Sequence, residues 1–374
     1  MKKTAGIIFS NIHDQELPEL TRMRTMASVP IAARYRLIDF TLSSMVNAGV
    51  TQIGIICKTN YHSLLKHVGS GKDWDLDRKN DGVTIISPFV EAGNGPLYEN
   101  RLEAMQNALR YLRGIDANNV ILSDCDILAN IPYDEILKFH EENDADITAV
   151  YKKINYPTRV ENYNMEFVVE EGTNEIKQVA IHNELQSLMN HGMNIYVIRR
   201  QVLTDMINDS LIYGYKSFSR ELFPLYLNRV KVLAYEFKGY GKAASSLNSY
   251  FEANMDLLDP KIRAEIFHQE DKPIMTRILD SAPSIYGEDA VIENSLISDG
   301  CVIEGTVVNS IISRGVRVDE GAVVKNSIIL SDTIIESGTN LNYIIADKNV
   351  FIRRGKTIAG CEGYPFFVAS GSVL

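Results

Sequence analysis

The chain has 374 residues, of which 45% are hydrophobic and 23% charged, and it carries a formal net charge of -10. That length can bury one large core or two moderate ones, and the acidic balance argues against nucleic acid or an anionic membrane surface as partner. Cys57, Cys125, Cys301 and Cys361 form no Cys-x-x-Cys pair, so reduced thiols in a cytoplasmic protein are expected rather than a disulfide or zinc framework. Ser10-Asn11 break the first apolar run, which argues against a signal peptide, and no apolar run approaches the roughly 20 residues that cross a bilayer.

Residues 4–9 read as a buried strand, and a long polar loop over 10–30 follows. Leu37, Phe40, Leu42, Met45 and Val46 then recur at helical spacing and Gly49 stops them. Strands are predicted over 50–58, 83–88, 118–131 and 147–153, with helices over 61–69, 99–114 and 131–146 between them. This alternation predicts an α/β domain with a mainly parallel sheet. Ligands of such sheets sit beyond the carboxyl ends of the strands, which singles out the loops 10–30, 89–99 and 123–130. Two strands joined by Gly172-Thr173-Asn174 follow, then a strand over 192–200, a helix over 201–209, and a linker helix over 247–260 that ends at Asp259-Pro260.

From about residue 283 the period is neither 3.6 nor 2. Gly305, Ser310, Gly315, Gly321 and Ser327 mark turns five or six residues apart, and Ile303, Val308, Val318, Val324, Leu330, Ile335, Leu341, Ala346 and Ile352 keep nearly the same interval. One inward aliphatic per short face, with small residues at the corners, is the pattern of a parallel β-helix; an antiparallel sandwich of short strands is the alternative. The tail YPFFVASGSVL is expected to cap the helix or to form an interface. The domains expected are 1–245, a connection over 246–282, and 283–374.

The segments Ala33-Arg34-Tyr35-Arg36-Leu37-Ile38-Asp39-Phe40 and Tyr250-Phe251-Glu252-Ala253-Asn254-Met255-Asp256-Leu257-Leu258, with the near-six rhythm, resemble the glucose-1-phosphate adenylyltransferase (ADP-glucose pyrophosphorylase) family over essentially the whole chain, and most of all its divergent regulatory-type subunits of bacterial glycogen synthesis. The resemblance implies a Rossmann-like, GT-A-like nucleotidyltransferase domain with a mixed sheet, followed by a left-handed parallel β-helix of hexapeptide repeats, in a tetrameric assembly. Catalytic members open with Gly-Gly-x-Gly-x-Arg-Leu; the matching positions here are Asn11, Ile12, Asp14, Glu16 and Leu17. Glycines let a backbone approach phosphates closely. A carboxylate in place of that arginine, near 4 Å from a phosphate charge, is unfavourable by up to roughly 4 kcal/mol.

The same resemblance places Met26 where a phosphate-binding lysine stands, beside a retained Arg24, and Ala243 where the second metal aspartate stands. Asp124 of Ser123-Asp124-Cys125 matches the first metal aspartate, and Asp126 lies close enough to suggest a substitute ligand, although an exposed acidic loop is the blander account. Asn100, Arg101 and Glu103 match the nucleotide-contacting turn, Ile181-His182 falls near the sugar-phosphate pair, and Gly192, Met193 and Asn194 match a Ser-Met-Gly segment. A nucleotide- or substrate-like pocket of Arg24, Asn100, Arg101, Glu103, Asp124, Gly192, Met193 and Asn194 is therefore expected, with Glu16, Met26 and Ala243 as degenerate catalytic positions.

Arg34, Arg36, Lys58, Arg353, Arg354 and Lys356 are effector-like anion contacts by family position, though each alone also reads as an ordinary surface charge. The expectation is a regulatory subunit with little or no activity alone and no cofactor of its own, its Mg²⁺ residing in a catalytic partner subunit, with sugar phosphates or nucleotides as effectors. An active Mg²⁺-dependent transferase with a remodelled site is the alternative. A β-helix acyltransferase is disfavoured because residues 283–374 hold no histidine.

Overall fold

The structure, a computed structural model, describes residues 2–79, 81–87, 98–155, 164–182 and 188–374. Most of the expected loop 89–99 and the side chain of His182 lie outside the described residues. Thr4–Phe9, TAGIIF, is apolar on both faces and forms the middle of the first sheet. It pairs in parallel with Gln52–Ile56 on one side and Asn119–Asp124 on the other, and Gly82–Ile86 closes that edge beside Gln52–Ile56. Leu188–Arg199 runs antiparallel to Asn119–Asp124, and Ile147–Asn155, Asn164–Val169, Ile176–His182 and Val232–Glu236 extend the sheet to nine strands among the described residues. The sheet is mixed, and its parallel centre carries the loops after Phe9 and Asp124 at one end.

Apolar side chains cover both faces of this sheet. One core gathers Phe9, Leu102, Met105, Leu122 and Phe223, and the other gathers Ile8, Leu42, Ile55, Ile121 and Trp74. The helix predicted over 99–114 is two, Arg101–Asn107 and Leu109–Gly114, which meet at Ala108. Asp259-Pro260 does not end the linker segment. Leu247–Asp256 is one helix, and Pro260 starts a second, Pro260–Phe267, because proline suits a first helical position that has no N–H partner to lose.

Beyond Ile285 the chain winds into three parallel sheets of five strands each, one per face of a three-sided β-helix. Ser310 Oγ accepts the Ser327 N–H and Ser327 Oγ accepts the Ile344 N–H, 17 residues on in each case. These coils hold 17 residues and the one from Ile303 to Val318 holds 15, rather than three sixes, which is why the rhythm is only near six. Ile303, Val318, Ile335 and Ile352 stack inside it. The tail does act as a cap within the chain: Phe366–Val368 adds the last strand to one face, and Phe351 donates its N–H to the Ser372 carbonyl.

A third core joins the parts. Leu17, Leu20, Met26 and Phe40 from the first domain meet Tyr250 and Leu257 of the linker and Ile328, Leu330 and Ile345 of the β-helix. No helix among the described residues is long and apolar enough to cross a membrane.

Candidate functional site

Strand register brings the site together. Phe9 lies opposite Asp124, so the loop after Phe9 and the loop after Asp124 leave the sheet side by side. Ile195 lies opposite Ser123, and the register of Leu188–Arg199 slips between Gly192 and Ile195, bulging Met193-Asn194 toward the same end. Asn194 adopts φ 56, a left-handed conformation that asparagine tolerates better than most residues. A glycine-like backbone is thereby kept while an amide is added.

Asp124 is fully buried at the centre of this end. The His13 ring bridges two carboxylates: Nε2 lies 2.7 Å from Asp124 Oδ2 and Nδ1 lies 2.8 Å from Glu16 Oε1. With a carboxylate at each ring nitrogen, this geometry favours the doubly protonated, charged ring. Burial opposes that charge, but the nearby Asp126 and Asp124 carboxylates outweigh it and hold His13 well above the ordinary imidazole value.

The Arg101 guanidinium bonds the same Asp124 Oδ2, donates to Asn194 Oδ1 at 3.0 Å, and lies over the Phe9 ring at 5.4 Å. Burial would raise the Asp124 carboxyl, yet Arg101 and His13 hold it below the usual range. Asp126, whose Oδ2 is 3.8 Å from His13 Nε2, is pushed up to about 6 by burial, partly offset by His13. The loop carrying Asp124 and Asp126 is therefore not the exposed acidic loop of the blander account; both carboxylates are buried.

The opening loop is folded onto itself rather than held open. Asp14 accepts the Met26 N–H at 2.7 Å and the Asn11 amide at 2.5 Å, and Asn11 Oδ1 accepts the Lys58 N–H at 2.9 Å. Burial pushes Asp14 up to about 6. Met26 is buried among Leu17, Leu20 and Phe40. Ala243 pairs with Ile127, and Ala244 donates its N–H to the Asp126 carbonyl, so the segment expected to hold the second metal aspartate runs beside Asp126 and Ile127 and brings no carboxylate there.

The other expected residues divide. Asn100 and Glu103 cap the helix Arg101–Asn107, Asn100 Oδ1 accepting the Glu103 N–H at 3.0 Å, and so aim Arg101 at Asp124. Met193 is buried in the core, while Gly192 sits against Phe167, which a β-carbon would approach to 2.8 Å. Arg24 is not at this end: it makes a bidentate ion pair with Asp347 of the β-helix, with Nη2 2.8 Å from Oδ2. His13 carried no expectation, since one histidine in a polar loop gives no signal; only the register of the sheet puts it on Asp124.

Of the effector-like residues, Lys58 lies beside the opening loop over the Tyr98 ring, and Arg353, Arg354 and Lys356 are exposed on the last coil. Arg34 lies over the Tyr35 ring. Arg36 faces the domain junction, donating to the Ser63 carbonyl and hydroxyl at 2.8 Å. Burial, with Arg24, Arg277 and Arg314 close by, lowers Arg36 to about 10, and burial with Arg36 and Arg24 lowers Lys348 to about 8. Arg314 keeps Nε and Nη2 buried without a hydrogen-bond partner among the described residues. Arg277, Arg314 and Lys348 had no sequence signal, because their elements meet only in the fold.

The family resemblance implies Mg²⁺, an ion that takes near-octahedral oxygen ligands. One ligand atom each of His13, Asp124 and Asp126 falls within 4.8 Å of the others. These residues do not fit that ion. Asp124 Oδ2 already meets two side-chain cations, His13 has no free lone pair while it bridges two carboxylates, and Ala243 offers no ligand. Asp124 Oδ1 and Asp126 Oδ1 remain buried without a hydrogen-bond partner among the described residues.

A family model described as nucleotidyl transferase matches residues 13–259, and one described as GlmU-like, C-terminal hexapeptide matches residues 283–362. The chain is 30% identical over 374 residues to the glycogen biosynthesis protein GlgD of Bacillus subtilis, an alignment spanning 98% of this chain and 96% of that protein. It is 30% identical over 329 residues to the glucose-1-phosphate adenylyltransferase of Thermosipho melanesiensis, spanning 87% of this chain and 78% of that one. It is likewise 30% identical over 341 residues to the glucose-1-phosphate adenylyltransferase of Clostridium perfringens strain SM101, spanning 90% and 86%.

Proposed function

The chain belongs to the glucose-1-phosphate adenylyltransferase family, and from that premise we propose that it is a regulatory subunit with little or no activity alone. In this reading it assembles in the cytoplasm with a catalytic relative and promotes formation of ADP-glucose from ATP and glucose 1-phosphate for glycogen synthesis. The observation that carries the reading is the double occupation of Asp124 Oδ2 by His13 and Arg101. Nucleotidyl transfer needs cationic charge placed on the phosphates in the transition state. Here the cations of the pocket are spent on the pocket's own carboxylates, and Glu16 adds a negative charge where triphosphate would lie.

What the fold retains supports a regulatory role. The junction core and the Arg24–Asp347 pair couple the pocket's loop to the β-helix. The cationic group of Arg36, Arg314 and Lys348 beside them, with Arg314 Nη2 lacking a hydrogen-bond partner among the described residues and Nε 3.5 Å from Asp299, has the chemistry to hold an anionic effector such as a sugar phosphate or a nucleotide. Effector and partner would then be coupled reciprocally, as any two linked sites are.

The competing reading, an active transferase with a remodelled site, is favoured by the free oxygens of Asp124 and Asp126. One experiment separates them: assay ATP and glucose 1-phosphate turnover by this chain alone with Mg²⁺, by a catalytic relative alone, and by the two together. The regulatory reading expects near-background turnover alone, and in the mixture a shift of about fivefold or more in rate or effector half-saturation. Efficient turnover by this chain alone would sink it, as would a mixture that behaves like the catalytic relative.

A further inference from the structure

We propose that the opening loop plugs its own pocket: His13 and Arg101 form a built-in cation pair in the place of a divalent metal, so that Asp124 and Asp126 are closed to Mg²⁺. This deepens the reading of the chain as non-catalytic and rests on it only for its meaning, since it concerns ion binding and not turnover.

The pair has the geometry of a replacement. The His13 ring nitrogen Nε2 lies 2.7 Å from Asp124 and 3.8 Å from Asp126, between the two carboxylates. Arg101 reaches the same Asp124 oxygen from the opposite chain segment, and Asn194 and the Phe9 ring hold its guanidinium in place. Two monovalent charges thus stand where a divalent ion would supply both.

The plug is held from behind as well. Glu16 fixes the far nitrogen of the His13 ring at 2.8 Å. Asp14 closes the loop by accepting from both Met26 and Asn11, and Leu17 and Leu20 anchor it in the junction core. These bonds tie the loop's side chains to one another and to the Met26 N–H, whereas a phosphate cradle turns its backbone N–H groups toward the ligand.

A divalent ion entering this pocket would meet two fixed positive charges and find the Oδ1 atoms of Asp124 and Asp126 as its free ligands. Removing the pair should therefore create metal binding rather than abolish it. That sign is opposite to what a merely structural role for His13 and Arg101 predicts.

The test uses Mn²⁺ as the probe, followed by electron paramagnetic resonance and by calorimetry on the full chain at pH 7.5. The wild type is expected to show no saturable site tighter than about 1 mM, and the double variant His13→Ala/Arg101→Met a site at least about tenfold tighter. Asp126→Asn added to the double variant should remove the gain. A wild-type site in the micromolar range that Asp126→Asn abolishes overturns the proposal. So does a folded double variant, judged by circular dichroism, that binds no better than wild type.

If the double variant does not fold, the wild-type titration still decides, together with nitrogen NMR of the His13 ring. The signals are assigned by their loss in His13→Gln. Two ring N–H protons at neutral pH are expected; a ring with one bare nitrogen overturns the plug. The mixed-subunit assay is independent of both, so metal binding by the wild type with regulation intact would remove this inference and leave the regulatory reading standing.

Discussion

At the scale of single residues, burial decides the protonation state more than sequence neighbours do. His140 illustrates this away from the pocket: it is buried, its Nδ1 shares a hydrogen bond with Thr148 at 2.9 Å, and its Nε2 has no partner. Burial, with Arg199 adding repulsion, lowers it to about 4. In the unfolded chain the ring titrates near 6.5, so between about pH 4 and 6.5 the unfolded state binds more protons and stability rises with pH. The lowered value corresponds to about 3 kcal/mol lost on going from above this window to below it. His140→Gln should flatten that part of the pH dependence of the urea-unfolding free energy; an unchanged slope would show that the ring is not buried neutral. His13 has the opposite sign. The fold favours its charged form, so its contribution is complete below about 6.5 and declines as pH climbs through its raised value.

At the scale of elements, the hairpin Pro30–Ile31 with Tyr35–Arg36 shows how the linker helix governs the first domain. Ala32 and Ala33 turn it with φ 52 and φ 63, a left-handed conformation that costs an L-residue about 1–2 kcal/mol. Tyr250 and Asn254 of the linker helix hold it there: the Tyr250 hydroxyl donates to the Pro30 carbonyl at 2.6 Å, and Asn254 Oδ1 accepts the Ala32 N–H at 3.0 Å. Ala33→Gly is expected to raise stability by up to about 1 kcal/mol, since relief of strain exceeds the added freedom of the unfolded chain. The midpoint of urea unfolding checks it. In the β-helix the sign reverses. A β-carbon at Gly305 would come within 2.4 Å of the Ala322 carbonyl oxygen and 2.7 Å of that of Asp319. Backbone oxygens there cannot rotate away as a side chain would, so Gly305→Ala should destabilise by roughly 1–3 kcal/mol, read as a lowered midpoint.

At the scale of the whole molecule, the Arg24–Asp347 pair ties two parts of the chain separated by 323 residues. Both side chains are at least nine-tenths buried. Removing one leaves the other charge buried and uncompensated, so Arg24→Ala should cost about 3–5 kcal/mol, whereas Arg24→Met with Asp347→Met together should recover most of it. Trp74, the sole tryptophan and fully buried in the first domain, is a fluorescence probe for the measurement. If the pair transmits the effector's influence, the double variant should fold well and still show a weakened effector response in the mixed assay. A fully retained response would place the coupling in the apolar junction core instead.

The sequence by itself determined the order of elements, the linker segment and the β-helix, because these follow from local periodicity: alternating strands and helices, then a near-six rhythm of small and aliphatic residues. It also showed that Met26 brings no charge to a phosphate, that Ala243 brings no ligand to a metal and that Glu16 brings a carboxylate rather than a cation, since side-chain chemistry is legible at any position. Only the tertiary structure decided what stands there instead. His13 and Arg101 lie 88 positions apart and reach one oxygen of Asp124 because three strands and a helix start converge at one end of the sheet. Arg24 was expected in the pocket because it matches the arginine of a family motif, and it is a tie to Asp347 because the opening loop packs on the β-helix. Composition and spacing record which charges are available. Which of them meet, and which are buried together, depends on strand register and domain packing, for which a single chain read linearly holds no signal.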